Sequence, residues 1–146
     1  MPAAIEERLR RFLVILTIFV FLATIVELVL EEHTQEALQW IPFVLCAAGL
    51  IATIAALLRP ERRTLLALRV TMLIVALGGI VGAGIHLLRN FQFEQEIRAS
   101  ADFSDLIIPT LKGASPLLAP GVLIFGALIA LAATYYHPAL GKRQQA

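Results

Sequence analysis

The chain has 146 residues, 59% of them apolar and 16% charged, with a formal net charge of +1; its mean hydropathy is +0.83. Soluble globular chains are roughly 45–50% apolar, so the composition argues against a water-soluble fold. Cys46 is the single cysteine, which excludes an intrachain disulfide.

Arg8, Arg10 and Arg11 precede an apolar run that starts at Phe12. This has the outline of a signal peptide. The run exceeds the usual apolar region of roughly 7–15 residues, and no small-x-small cleavage site follows it. It is read as a retained first span, residues 12–30, behind a short polar lead without a lipidation motif. An acidic connection follows, containing Glu31, Glu32, His33 and Glu36 but no Lys or Arg.

The second span covers residues 41–58. Trp40 stands at its mouth as an interfacial anchor, and Pro42 is tolerated in a first turn, where its missing N–H has no helical partner to lose. A basic cluster at 59–63 ends it. The third span covers 65–88, with Arg69 one turn inside and expected to snorkel to the surface. Residues 90–98 are expected to continue that helix beyond the membrane. Residues 102–111 mix charge with Phe103, Leu106, Ile107, Ile108 and Leu111, which suits an interfacial helix broken at Pro109 and lying over the end of the bundle. The fourth span covers 116–136 and closes on Tyr135 and Tyr136.

Each run is near or above the roughly 17–25 residues that a helix needs to cross the hydrocarbon. Helix follows because backbone polar groups in lipid must be paired within the segment or in a closed barrel, and barrel strands would be shorter and alternating. The expected architecture is all-α: one domain, residues 1–146, with four transmembrane helices in an up-down bundle.

Basic residues set the orientation. Arg8, Arg10, Arg11, Arg59, Arg62, Arg63, Arg69, Lys142 and Arg143 fall on one side, against Arg89, Arg98 and Lys112 on the other. Glu27, Glu31, Glu32, Glu36, Glu94, Glu96, Asp102 and Asp105 belong to that second side. Both termini are therefore expected in the cytoplasm, with the acidic connections outside.

Two ionisable residues lie inside the spans near their outer ends. Glu27 is about one turn before the end of span one, and His86 about one turn before the end of span three. These spans run in the same direction, so the two groups share a depth. Each has a companion four residues on, Glu31 and Asn90, on the same helical face. Thr17, Val20, Thr24, Glu27 and Glu31 form one inward track; Gly79, Gly82, Ala83, His86 and Asn90 form another. Small residues at such spacing, including Gly78 and Gly82, mark close helix contact in membranes. A charge at mid-bilayer costs at least roughly 2.5–3.5 kcal/mol, so Glu27 should be paired, protonated or near water.

Four uses of this cluster stay open. A Glu27–His86 hydrogen bond would make a structural clasp. Glu27, Glu31, His86 and Asn90, with His33 or Glu94 in support, offer oxygen and nitrogen donors of the kind that hold a divalent metal. His86 with the small Gly82 one turn below would admit a haem or other tetrapyrrole, with His33 folding back as a second axial ligand. Proton or ion movement is disfavoured, because no ionisable site lies deeper. Cys46, also near the outer end, packs as a small apolar residue, and His137 is expected to cap the last helix. Gly126 and Ala130, like 78–84, are candidate contacts between subunits.

No Gly-rich phosphate loop, G-x-S-x-G, C-x-x-C or H-E-x-x-H occurs, and no basic–aromatic pattern supports nucleic-acid binding. The plan, with its Glu27-to-His33 turn and the His86, Asn90, Phe91, Phe93, Glu94 run, resembles that of small bacterial four-span inner-membrane proteins of unassigned function. That resemblance implies a bacterial inner-membrane location and no activity. The leading expectation is a non-enzymatic accessory or structural component acting on membrane-protein partners or on copies of itself within the lipid bilayer. The alternative is a metal- or tetrapyrrole-binding membrane protein.

Overall fold

A computed structural model of the chain describes residues 3–115 and 117–141. Pro116, the expected start of the fourth span, and Lys142 and Arg143 of the basic tail lie outside the described residues. Among the described residues the regular structure is entirely helical. The α-helices are α1 (Ala3–Leu30), α2 (Ile41–Leu58), α3 (Arg62–Ile97), α4 (Phe103–Leu111) and α5 (Leu118–Ala133), with 3-10 turns at Ala37–Trp40 and Pro138–Leu140.

Helices α1, α2 with its preceding turn, and α3 are long and apolar enough to cross a membrane; α5 is a shorter apolar helix. At 1.5 Å per residue the 36 residues of α3 reach about 54 Å, well past a hydrocarbon layer of roughly 30 Å. The expected continuation of helix three through the residues after 90 is thus present, as far as Ile97. The polar lead also belongs to α1, where Arg10 and Glu6 pair at 3.1 Å one turn apart.

The fourth apolar run is helical over fewer residues than the sequence suggests, and its end has a physical cause. Thr134 turns its hydroxyl back to the Leu131 carbonyl, Tyr136 takes a left-handed backbone with φ 49°, and Pro138 cannot continue a helix. Arg69 then grips this end. Its Nε donates to Thr134 Oγ1 and its Nη2 to the Thr134 carbonyl, both at 2.9 Å. Arg10 donates to the Tyr136 carbonyl at 3.0 Å. Two guanidiniums thereby meet the negative end of the α5 dipole. Arg69 therefore also caps a neighbouring helix.

The interior is narrow and built at heptad-like spacing. Thr17, Phe21, Thr24 and Leu28 face inward on α1; Cys46, Gly49, Thr53 and Ala56 on α2; Leu65, Leu68, Met72, Val75 and Gly79 on α3. Leu123, Ala127 and Ala130 complete the core from α5. A seam of period 3.5 keeps small residues against neighbours along the whole crossing. Thr17, Thr24 and Thr53 donate to the carbonyl one turn back, so their hydroxyls enter an apolar interior already satisfied. Outward, Phe19, Leu22, Val44, Ile51, Val70, Leu77 and Phe125 are exposed. An apolar belt of that extent is what lipid covers.

Glycines set the helix separations. A Cβ on Gly79 would stand 2.9 Å from the Pro120 carbonyl oxygen and 2.7 Å from Ile124 Cγ1, so α3 and α5 meet almost backbone to backbone there. Gly78, its neighbour, faces Leu45 of α2. Gly126 and Ala130 are buried, with Gly126 against Val20 and Phe21 of α1. The small face of α5 is therefore used inside the chain, which corrects its reading as a contact between subunits.

Candidate functional site: a polar-ended chamber

The helices leave a cavity of about 450 Å³ between the end of α1, the start of α2, the upper part of α3 and the start of α5. Its walls are mostly apolar: Leu28, Leu45, Val81, Ile85, Leu118 and Leu123 are among them. Glu27, Glu31, His33, Gln39, His86 and Arg89 gather on it as well. Gly82 lines it too, and a Cβ there would meet only Pro120 Cβ, at an ordinary 3.5 Å. Glycine at this position withholds side-chain bulk, which leaves the space open.

Helix α1 delivers His33 by a specific turn. The His33 N–H donates to the Leu28 carbonyl and the Glu32 N–H to Val29, at 3.0 and 3.1 Å. Glu32 itself is left-handed, with φ 50°. This is a Schellman arrangement, usually built on glycine. It folds the chain back over its own helix end, so that the His33 and His86 rings lie 6.4 Å apart. Such a fold-back is what His33 needs to join the cluster, and no glycine in the sequence signals it.

The rest of the connection forms the chamber's outer rim. Gln39 Oε1 accepts from the Gln35 and Glu36 N–H groups at 2.7 and 3.0 Å, which winds the 3-10 turn leading into α2. Arg89 pairs with Glu36 at 3.1 Å and ties this connection to α3. Burial lowers the His33 pKa from its ordinary value, reinforced by nearby His86 and Arg89 and opposed by Glu31. Arg89 and Gln39 are site residues that sequence reasoning misses; the Glu36-x-x-Gln39 spacing, a capping-box pattern, is the available signal.

Glu27, Glu31, His86 and Gly82 are brought together on one cavity, as their shared depth implied. Glu27 is half-buried beside the buried track, whereas Glu31 is exposed at the mouth. Asn90 is not in this group. It is buried toward α4 and the segment after it, where its Nδ2 donates to the Thr110 and Ser115 carbonyls at 3.1 and 3.0 Å and its Oδ1 accepts from the Ser115 N–H at 2.9 Å. Glu94 follows it on that side and pairs with Arg98 at 3.1 Å. Asn90 shares the His86 face but stands about 6 Å further along α3, level with the returning chain and not with the chamber.

Three further expectations are revised. Pro109 lies within α4 and does not break it. Helix α4 packs on α3 and supplies no chamber wall; the roof is the α1–α2 connection. His137 Nδ1 accepts from the Ala139 N–H at 3.2 Å, so it caps the following 3-10 turn and not α5. Cys46 is fully buried in the core, in agreement with its packing role. Among the described residues, no three His, Cys, Asp or Glu side chains are grouped so as to hold a metal ion, which removes the support for the four-residue metal set. No family model, curated protein or solved structure matches the chain.

Proposed function

We propose that this chain is a non-enzymatic, four-span protein of a bacterial inner membrane that houses a small amphiphilic ligand in the chamber near the outer surface. The observation that carries this is the cavity of about 450 Å³. It lies within the roughly 300–1,000 Å³ of ligand pockets, and its apolar walls with few convergent polar groups match their usual make-up.

Treating α5 as the fourth crossing in an up-down bundle is supported by Arg10 and Arg69. They lie near the starts of α1 and α3, and both reach the end of α5. The basic cluster around Arg62 and Arg63 belongs to that same end, since α3 begins there. Cytoplasmic termini follow from the same bias, and a reporter at Ala146 that proves external would overturn this. Residues 1–146 act as one domain in this proposal, since all four long helices contribute to one core.

The test of the chamber is to purify the protein in mild detergent and identify co-purifying small molecules by mass spectrometry. A stoichiometric amphiphile is expected in wild type and lost in Gly82→Leu, whose side chain would enter the cavity. Equal recovery from both proteins would end the proposal.

A tetrapyrrole is a second candidate occupant because His33 does fold back toward His86. Those two imidazoles would be its axial ligands, and Gly82 would give a flat ring room against α3. A Soret band that disappears in both His33→Ala and His86→Ala is the expected signature. A colourless protein that binds no added haemin sets this occupant aside.

A further inference from the structure

The chamber's charge pattern identifies its ligand more closely. Glu27 and Glu31 stand four residues apart on α1 and both line the cavity. The guanidinium of Arg89 also lines it, but Glu36 already engages that group at 3.1 Å. Three carboxylates thus face one guanidinium at this end. His33 stays neutral near pH 7, since burial lowers its pKa. His86 supplies at most one positive charge whatever its own contacts. Negative charge is left over on this cavity, half-buried at Glu27 and exposed at its mouth at Glu31.

The remaining wall is hydrocarbon: Leu45, Val81, Ile85 and Leu123. Its occupant needs a cationic end beside Glu27 and an apolar body along α3 and α5. We propose that the chamber binds an amphiphilic primary amine, its ammonium between Glu27 and Glu31 and its hydrocarbon tail against Gly82 and the apolar wall. Three N–H donors on a compact cation suit two carboxylates one helical turn apart. The inference rests on the chamber reading above and adds the sign of the head group to it. Both a free long-chain amine and the aminoalkyl head of a membrane lipid present this chemistry.

Native mass spectrometry of the detergent-solubilised full chain tests it with three probes of equal length: dodecylamine, dodecanol and dodecanoate. A charge-assisted contact is worth roughly 1.5–3 kcal/mol, so the amine should bind at least about tenfold tighter than the alcohol near pH 7. The carboxylate should be weakest. Glu27→Gln should remove the preference for the amine over the alcohol. Gly82→Leu should weaken all three probes. Gly84→Leu, at a position with nothing within 4 Å of an added Cβ, should weaken none.

Equal binding of the three probes would overturn the amine assignment and leave the chamber standing; binding of none would overturn both. Retention of the preference in Glu27→Gln would also overturn the assignment. A parallel arm compares phosphatidylethanolamine with phosphatidylglycerol. Preference for the former assigns the amine to a lipid head group; preference confined to dodecylamine assigns it to a free amine.

Discussion

The imidazole rings of His33 and His86 lie 6.4 Å apart and are tilted by 35°. One ring sits on a connection and the other on α3, and both line the same cavity. The fold has placed two titratable rings together, next to the Arg89 guanidinium and the Glu27 and Glu31 carboxylates.

That placement predicts a pH dependence of stability. His33 has a folded-state pKa below its ordinary value of 6.5, through burial first and then His86 and Arg89. The unfolded chain therefore takes up the proton more readily. The stabilisation is complete above the unfolded value and is lost as the pH falls through 6.5 toward the folded one. Thermal unfolding in detergent should give a lower Tm at about pH 5 than at about pH 7.5, and His33→Gln should shrink the difference. His137 is shifted the same way, by burial and then by Arg10 and Arg69, so a residual dependence should persist in that variant. An unchanged difference in His33→Gln would contradict the assignment.

The turn that presents His33 stores strain at Glu32, whose φ is 50°. A left-handed backbone costs a non-glycine residue roughly 1–2 kcal/mol, part of which glycine returns to the unfolded state as entropy. Glu32→Gly should stabilise the protein by about 0.5–1 kcal/mol without moving His33. A Tm below wild type would show that the Glu32 side chain has a role of its own.

Gly79 and Gly84 lie on one helix with opposite surroundings. An added Cβ at Gly79 meets the Pro120 carbonyl oxygen at 2.9 Å, whereas at Gly84 it meets nothing within 4 Å. Gly79→Ala should destabilise by about 1–3 kcal/mol, because α3 and α5 must separate. Gly84→Ala should be neutral or stabilising by up to about 1 kcal/mol. Denaturation by graded SDS checks the pair, and equal effects would dismiss the close contact.

Arg69 makes two bonds to Thr134 from a half-buried position. Arg69→Met keeps the stem but removes the donor to the Thr134 hydroxyl and leaves its carbonyl with the His137 N–H alone, at a cost of about 1–3 kcal/mol. Arg69→Lys should restore less than half of that, since one ammonium does not reproduce the fork of a guanidinium. Thermal unfolding of the three proteins separates these outcomes, and full recovery with lysine would show that charge alone is needed.

The membrane-spanning character of the chain is legible in its hydropathy alone. Uninterrupted apolar runs leave the backbone no choice but helix in lipid, and the segment from Asn90 to Ile97 continues α3 without a helix breaker. The shared depth of Glu27 and His86 follows from helix direction. On α1 the expected Thr17 and Thr24 are buried, but Phe21 and Leu28 are buried more deeply than Val20 and Glu27 beside them, because the two spacings fit almost equally well. In a helix that is apolar nearly all round, periodicity hardly distinguishes the inward face from the lipid face.

The amino-acid sequence by itself determined that the chain enters a membrane, where its long helices run and which end carries the acidic groups, since these depend on local hydropathy and charge. Only the tertiary structure decided that Asn90 bonds Ser115 while His33 folds in, and that a cavity remains between His33, His86 and the start of α5. Those outcomes depend on a left-handed Glu32, on one further turn of α3 and on the separation that Gly79, Gly82 and Pro120 allow. Each is a relation between backbones that no local pattern of residues encodes.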